Sequence, residues 1–192
     1  YKGFSKSSKK ILLFDLETNL DFNYNQNNNG LNNKQVFGSG DVNADLVIIG
    51  ESPDDYEDES GKPFVGPSGK LLDKILKAIG LKRNKNVYLT YILKYKTPEN
   101  RDPLLLEINE SLPILMKQLE IIQPKIIVGL GKVVGRAFLN IDSTLEDMRN
   151  DFYDFNSYPF KITYCLETLL RDPSLKKYAW EDFQFVRDFL RT

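Results

Sequence analysis

Four short apolar runs, set apart by segments long enough to hold a helix, constrain this chain more than any other feature. They are DLVII (45–49), NVYLT (86–90), KIIV (125–128) and FKITY (160–164). The first three lack the polar alternation of a half-exposed strand, which predicts strands buried on both faces, and FKITY is read as a fourth strand of the same sheet. Between the first two, Ser68 to Ile79 carries apolar residues at 71, 72, 75, 76 and 79 and is followed by Gly80. That is the stripe of an amphipathic helix with a glycine stop. Glu107 to Ile122 predicts a second helix, with Pro113 expected to kink it or move its start. Val133 to Leu139 predicts a short helix. Leu175 to Leu190 predicts a terminal one, packing through Tyr178, Trp180, Phe183, Val186 and Leu190. Strands alternating with helices predict an α/β fold: three layers, α/β/α, around a central short parallel sheet.

The composition narrows the chemistry. A hydrophobic content of 41% in 192 residues is enough for one core. No apolar run approaches the ~18 residues of a membrane span, so none is expected. The net charge of −1 argues against a uniformly basic nucleic-acid binder but leaves room for a local basic groove. Cys165 is the single cysteine and histidine is absent. An internal disulfide, a cluster held by several cysteines and a His/Cys zinc site are therefore excluded, and no metal or cofactor is expected. A lone cysteine reads first as a packed thiol. The first residue is Tyr1, so the N-terminus is expected to be missing or processed. The compartment stays open, with intracellular and mitochondrial settings both compatible.

Residues 1–43 are expected to be an irregular segment, and 44–192 the folded domain. The segment contains the polar tract NYNQNNNGLNN over 23–33, which has too little apolar area to offset its ordering entropy. It reads as a loop or insertion, or else as a partner-binding segment.

In a parallel α/β sheet ligands bind beyond the carboxyl ends of the strands. The loops after Ile49, Thr90, Val128 and Tyr164 should therefore share one rim. These loops hold the distinctive motifs: GESPDDYEDESGKPFVGPSGKLLDKIL (50–76), VYLTYILKYKTPENRDP (87–103), QPKIIVGLGKVVGRAFL (123–139) and ITYCLETLLRDPSLKKYAWEDF (162–183). With VFGSGDVNADLVIIGESP (36–53) they form ordered blocks from about Val36 to Leu190. Together they resemble the uracil-DNA glycosylase superfamily, especially its family 4 type and the alphaproteobacterial relatives.

The resemblance implies cleavage of the N-glycosidic bond of deoxyuridine, flipped from the duplex into a pocket. Glu51 stands at the position of the family's catalytic acid, and Phe64 at that of the base-stacking aromatic. Glu57 and Asp58 keep an acidic pair that either braces the loop or reacts. Gly66, Ser68 and Gly69 lie at a helix start, where backbone amides hold a phosphate or Ser68 is simply the N-cap. Asn100 and Arg101 keep a polar turn suited to nucleic acid. Leu169, Leu170 and Arg171 match the end of the DNA-intercalating loop, or an ordinary start of a helix. Lys94, Lys96, Arg101, Lys132 and Arg171 are the candidates for a basic rim.

Other positions depart from the pattern. Tyr91 replaces the family's base-reading Asn, whose amide both donates and accepts. Cys165-Leu166-Glu167 replaces the HPS or HPA motif, so the His donor to the leaving base is missing. Losing one such donor typically costs about 3–4 kcal/mol of transition-state stabilisation. Asp54 replaces a glycine, and Asp54 and Glu167 both add negative charge. The iron–sulfur cysteines are absent, with Tyr95 at one of their positions. With both pocket walls altered at Tyr91 and Cys165, the sequence reading favours a glycosylase fold that has lost base excision. Such a protein would serve as a structural or binding subunit of a larger assembly, organellar or other, that holds DNA, RNA or protein. The alternative is an active uracil-DNA glycosylase with an altered pocket.

Overall fold

The computed structural model describes residues 3–27 and 33–192. In chain order the elements are α1 (Lys6–Asn27), β1 (Ser39–Gly40), β2 (Leu46–Gly50), α2 (Asp55–Ser60), α3 (Gly66–Ala78) and β3 (Val87–Tyr91). After these come α4 (Leu105–Ile122), β4 (Ile126–Leu130), α5 (Lys132–Leu139), α6 (Leu145–Asn150), β5 (Tyr153–Phe155), β6 (Tyr158–Thr163), α7 (Leu166–Arg171) and α8 (Lys176–Phe189). The sheet has six strands in the order β1-β3-β2-β4-β6-β5. The four inner strands are parallel, and the two short edge strands pair antiparallel.

Each inner strand sends alternate side chains to opposite faces. Val47, Ile49, Ile127, Phe160 and Ile162 meet α4 and α5 through Leu115, Leu119, Val134 and Phe138. Leu46, Ile48, Leu89, Ile126 and Val128 meet α3 and α8 through Leu72, Leu76, Phe183 and Val186. The expected three layers follow from these two cores.

Three local features differ from the sequence expectations. Residues 6–27 form a helix, where an irregular segment was expected. Leu12, Leu13, Leu16 and Leu20 join the core on the α4 side and supply its apolar stripe. The Asn-rich tract begins within the end of this helix, and its residues 28–32 lie outside the described residues. The sheet is mixed, because β1 and β5 pair antiparallel at its edges, and both are too short to announce themselves as apolar runs. Helix α4 runs unbroken through Pro113 and starts at Leu105.

Topology places the site. From β2 the chain moves to one side, to β3, and later to the other side, to β4. The connections leave β2 and β4 in opposite directions, so a crevice opens beyond their carboxyl ends. Parallel pairing sets Gly50 beside Tyr91, which brings Glu51 and Tyr91 to this crevice together.

Candidate active site

A cleft of about 420 Å³ opens at the crevice, within the usual size range for small-ligand pockets. Glu51, Phe64, Tyr91, Cys165, Asn100 and Arg171 all line it. The loops after all four inner strands therefore do converge.

Glu51 directly follows β2. Its backbone carbonyl accepts from Leu93 N at 3.0 Å, which extends the ladder past the strand's end and fixes the residue. Burial raises its carboxyl to about 7, and the negative charges of Asp102 and Glu167 push the same way. A carboxylate that titrates near neutrality inside a cleft suits acid–base or charge-stabilising chemistry.

The loop carrying Phe64 is pinned from several sides. Asp54 is the N-cap of α2, accepting from Tyr56 N and Glu57 N, while Glu57 accepts from Asp54 N at 2.9 Å. This capping box explains Asp54 as a structural acid. Glu57 also accepts from Val65 N at 3.0 Å, tying α2 to the Phe64 loop. Burial, then Asp54, pushes its carboxyl to about 8. Asp58 accepts from Lys34 N, so both acids of this pair brace the loop. Arg83 donates to Pro63 O at 3.0 Å and Gly69 O at 2.9 Å. Phe64 itself is left-handed, at φ 51°. A Cβ on Gly69 would stand 2.0 Å from Phe64 O, so only glycine permits this close approach. Arg83 and the Asp54–Glu57 box escaped sequence reasoning, although Asp54-x-x-Glu57 before a helix was a usable signal.

Tyr91 ends β3 and is 4% exposed. Its ring stacks on Phe64 with centroids 4.6 Å apart and lies against Gly50, where a Cβ would approach it to 2.6 Å. Its Oη accepts from Phe64 N at 3.2 Å. Burial, then the charge of Glu57, holds the phenol well above its ordinary range, so it stays neutral. Cys165 is a packed thiol in contact with Thr168 Oγ1 at 3.0 Å, and burial pushes it up.

Several expected nucleic-acid contacts have other partners. Ser68 is not the N-cap, because α3 starts at Gly66 after Val65. Its buried hydroxyl donates to Glu167 Oε1 at 2.6 Å, linking α3 to α7. Asn100 Nδ2 donates to Asp55 at 2.8 Å. Arg101 forks onto Glu107 at 2.6 and 2.8 Å. Leu169 is buried against Tyr164 and Ala179, whereas Leu170 is exposed. The basic rim is smaller than expected. Lys94 is buried, donating to Thr90 Oγ1 and Gln118 Oε1 at 2.6 Å each, and Lys96 is paired with Asp55. Among the described residues, Lys132 and Arg171 are the cations lining the cleft.

The family model for the uracil DNA glycosylase superfamily matches residues 37–184. The chain belongs to the uracil-DNA glycosylase superfamily. It is 38% identical to the type-4 uracil-DNA glycosylase of Saccharolobus solfataricus, over 81% of this chain and 76% of that one. It is 35% identical to that of Archaeoglobus fulgidus, over 79% of each. It is also 32% identical to a DNA polymerase of Bacillus phage SP01, over 83% of this chain but 17% of the polymerase.

These likenesses overturn the expectation of a superfamily member that has lost excision and serves as a structural subunit. Relatives named for the activity match most of the chain, and a cleft of about 420 Å³ remains beside the stacked Phe64 and Tyr91. The objection to activity rested on two replaced side chains. It gave too little weight to Glu51 and Phe64 sharing one cleft.

An iron–sulfur cluster does not fit this chain. Such a cluster is held by four thiolates, and the chain has one cysteine. Among the described residues no group of His, Cys, Asp and Glu could hold a metal. Also among them, no helix is long and apolar enough to cross a membrane.

Proposed function

We propose that this protein hydrolyses the N-glycosidic bond of deoxyuridine in DNA and releases uracil. The observation that carries the reading is Glu51 and Phe64 in one cleft at the topological switch point, in a chain of this superfamily. The flipped nucleotide enters the cleft and its base stacks against the Phe64–Tyr91 ring pair. The bond from C1′ to N1 lengthens and the sugar becomes cationic. Ionised Glu51 stabilises that cation and orients the water that adds to C1′. The bonding pair leaves with the base, and the water's proton passes to Glu51. Lys132 and Arg171 supply positive charge in the cleft, toward the leaving anion or the flanking phosphates. Leu170 is the exposed apolar side chain available to fill the gap in the base stack.

The test is incubation of the purified chain with single- and double-stranded DNA containing one uracil, beside Glu51→Ala. The expected result is alkali-labile sites with the wild-type chain and a rate lower by about a hundredfold or more in the variant, the scale of a lost acid–base group. Intact DNA with the wild-type chain would refute the reading.

A further inference from the structure

Helix α8 packs Phe183 and Val186 into the core. Trp180, one turn earlier and expected from the sequence to pack as well, is instead 36% exposed. Its ring borders a second hollow, of about 190 Å³, between α3 and α8. That is below the roughly 300 Å³ at which sites for drug-sized ligands begin, so the hollow suits one flat ring rather than a whole cofactor. Ile75 and Ala78 of α3 and Leu169 of α7 line it with Trp180. Lys74 and Lys176 are its polar members, and both are exposed. Among the described residues no carboxylate lines the hollow, and the ion pairs take neither lysine. Lys70 and Lys77 stand one turn to either side of Lys74 and are exposed too. The hollow therefore offers an apolar floor, an aromatic face and positive charge that no acid beside it neutralises. It also adjoins the proposed DNA cleft. In α7, Leu169 lines the hollow, Arg171 lines the cleft and Leu170 between them is exposed.

We infer that this hollow is a second nucleic-acid subsite, which takes an unpaired base of single-stranded DNA flanking the flipped nucleotide. The base stacks on Trp180, and Lys74 and Lys176 meet the phosphates on either side of it. The choice of DNA rests on the glycosylase reading, whereas the chemistry of the hollow stands apart from it. Aromatic faces set among cations bind single strands without regard to sequence, because every base has a flat face and every link between bases carries a charge. An apolar peptide would fill the floor but leave the lysines without partners. A duplex keeps its bases stacked inside and presents none to Trp180. A single strand leaving the cleft over α7 passes Leu170 and reaches the hollow on the other side of that helix.

Trp180 is the only tryptophan of the chain, so its fluorescence reports on the hollow without a label. The probes are a short oligothymidylate, free of uracil, and an abasic phosphodiester chain of the same length, which keeps the charges and lacks the bases. Oligothymidylate should quench Trp180 and the abasic chain should not. Affinities are then measured by anisotropy of end-labelled probes for wild type, Trp180→Leu, Trp180→Phe and the double variant Lys74→Ala/Lys176→Ala, each first checked for an unchanged melting profile. Trp180→Leu should lose about tenfold on oligothymidylate, the scale of one stacked base, and nothing on the abasic chain. Trp180→Phe should recover most of the loss. The double lysine variant should flatten the dependence of log affinity on log salt by about 0.7 for each lysine and still show quenching at saturation. Unchanged Trp180 emission at saturation, no binding of oligothymidylate, or equal losses for Trp180→Leu on both probes would overturn the inference. An emission change that follows protein concentration without DNA would assign the hollow to a second copy of the chain and overturn it too. Quenching without excision from uracil-containing DNA would support this inference and count against the glycosylase reading alone, and excision without quenching would do the reverse.

Discussion

Replacing Glu51 by Gln should impair the proposed excision and stabilise the protein, and the stabilisation should depend on pH. In the fold this carboxyl is raised from 4.5 to about 7, chiefly by burial and then by Asp102 and Glu167. Below about 4.5 folded and unfolded chains both hold the proton, and the charge has no effect on stability. Between 4.5 and 7 the folded chain keeps a proton that the unfolded chain has lost, so wild-type stability falls as pH rises. Above 7 the full penalty is present. At 1.36 kcal/mol for each factor of ten, it is about 3 kcal/mol as an upper figure. Glu51→Gln removes it, and for a chain of this size each kcal/mol moves the melting temperature by roughly 2–4 °C. Thermal unfolding at pH 8.5 should therefore show the variant several degrees above wild type, with the difference gone at pH 4.5. Excision should fall by about a hundredfold. In wild type, kcat/KM should rise with pH through about 7 as Glu51 ionises. A variant no more stable than wild type at pH 8.5, or equally stabilised at both pH values, would refute this reasoning.

Other perturbations have separate outcomes. Gly69→Ala places a Cβ 2.0 Å from Phe64 O; it should cost about 1–3 kcal/mol in urea unfolding and lower excision by displacing the stacking ring. Leu169→Ala should cost about 2–5 kcal/mol as a core truncation. Leu170→Ala should leave the urea midpoint nearly unchanged and slow excision from duplex more than from single strands, because Leu170 is exposed. Asp182→Ala strips the partner from buried Arg149 and Lys161 and should destabilise by about 3–5 kcal/mol in the same assay.

The parts of this fold that were legible were those with a strong period. The inner strands are buried along almost their whole length, so β2 and β4 are unbroken apolar runs, and the polar Thr90, Lys161 and Thr163 of β3 and β6 are themselves buried. Strand β1 is Ser39–Gly40, paired through its backbone, and no side-chain pattern can announce it. Helix α1 did carry a leucine stripe, but the neighbouring Asn-rich tract dominated the reading of that region. The convergence of Glu51, Phe64, Tyr91 and Cys165 on one cleft was legible because each sits at or just beyond a strand end or within the long loop motif. Lys94 was misplaced because a lysine beside a loop reads as solvated. The bend that follows β3 turns it inward onto Thr90 and Gln118. The partners of Ser68 and Arg101, Glu167 and Glu107, were not legible for a related reason: they are set by how α7 and α4 pack or begin.

The central claim is water addition at C1′ of deoxyuridine in the Glu51 cleft. It is tested most directly by running the reaction in ¹⁸O-labelled water and weighing both products. The account predicts unlabelled free uracil in equal amount to abasic DNA, with one ¹⁸O in the abasic sugar, and neither product with Glu51→Ala. Absence of free uracil from the wild-type reaction, or its release without label in the sugar, would contradict it.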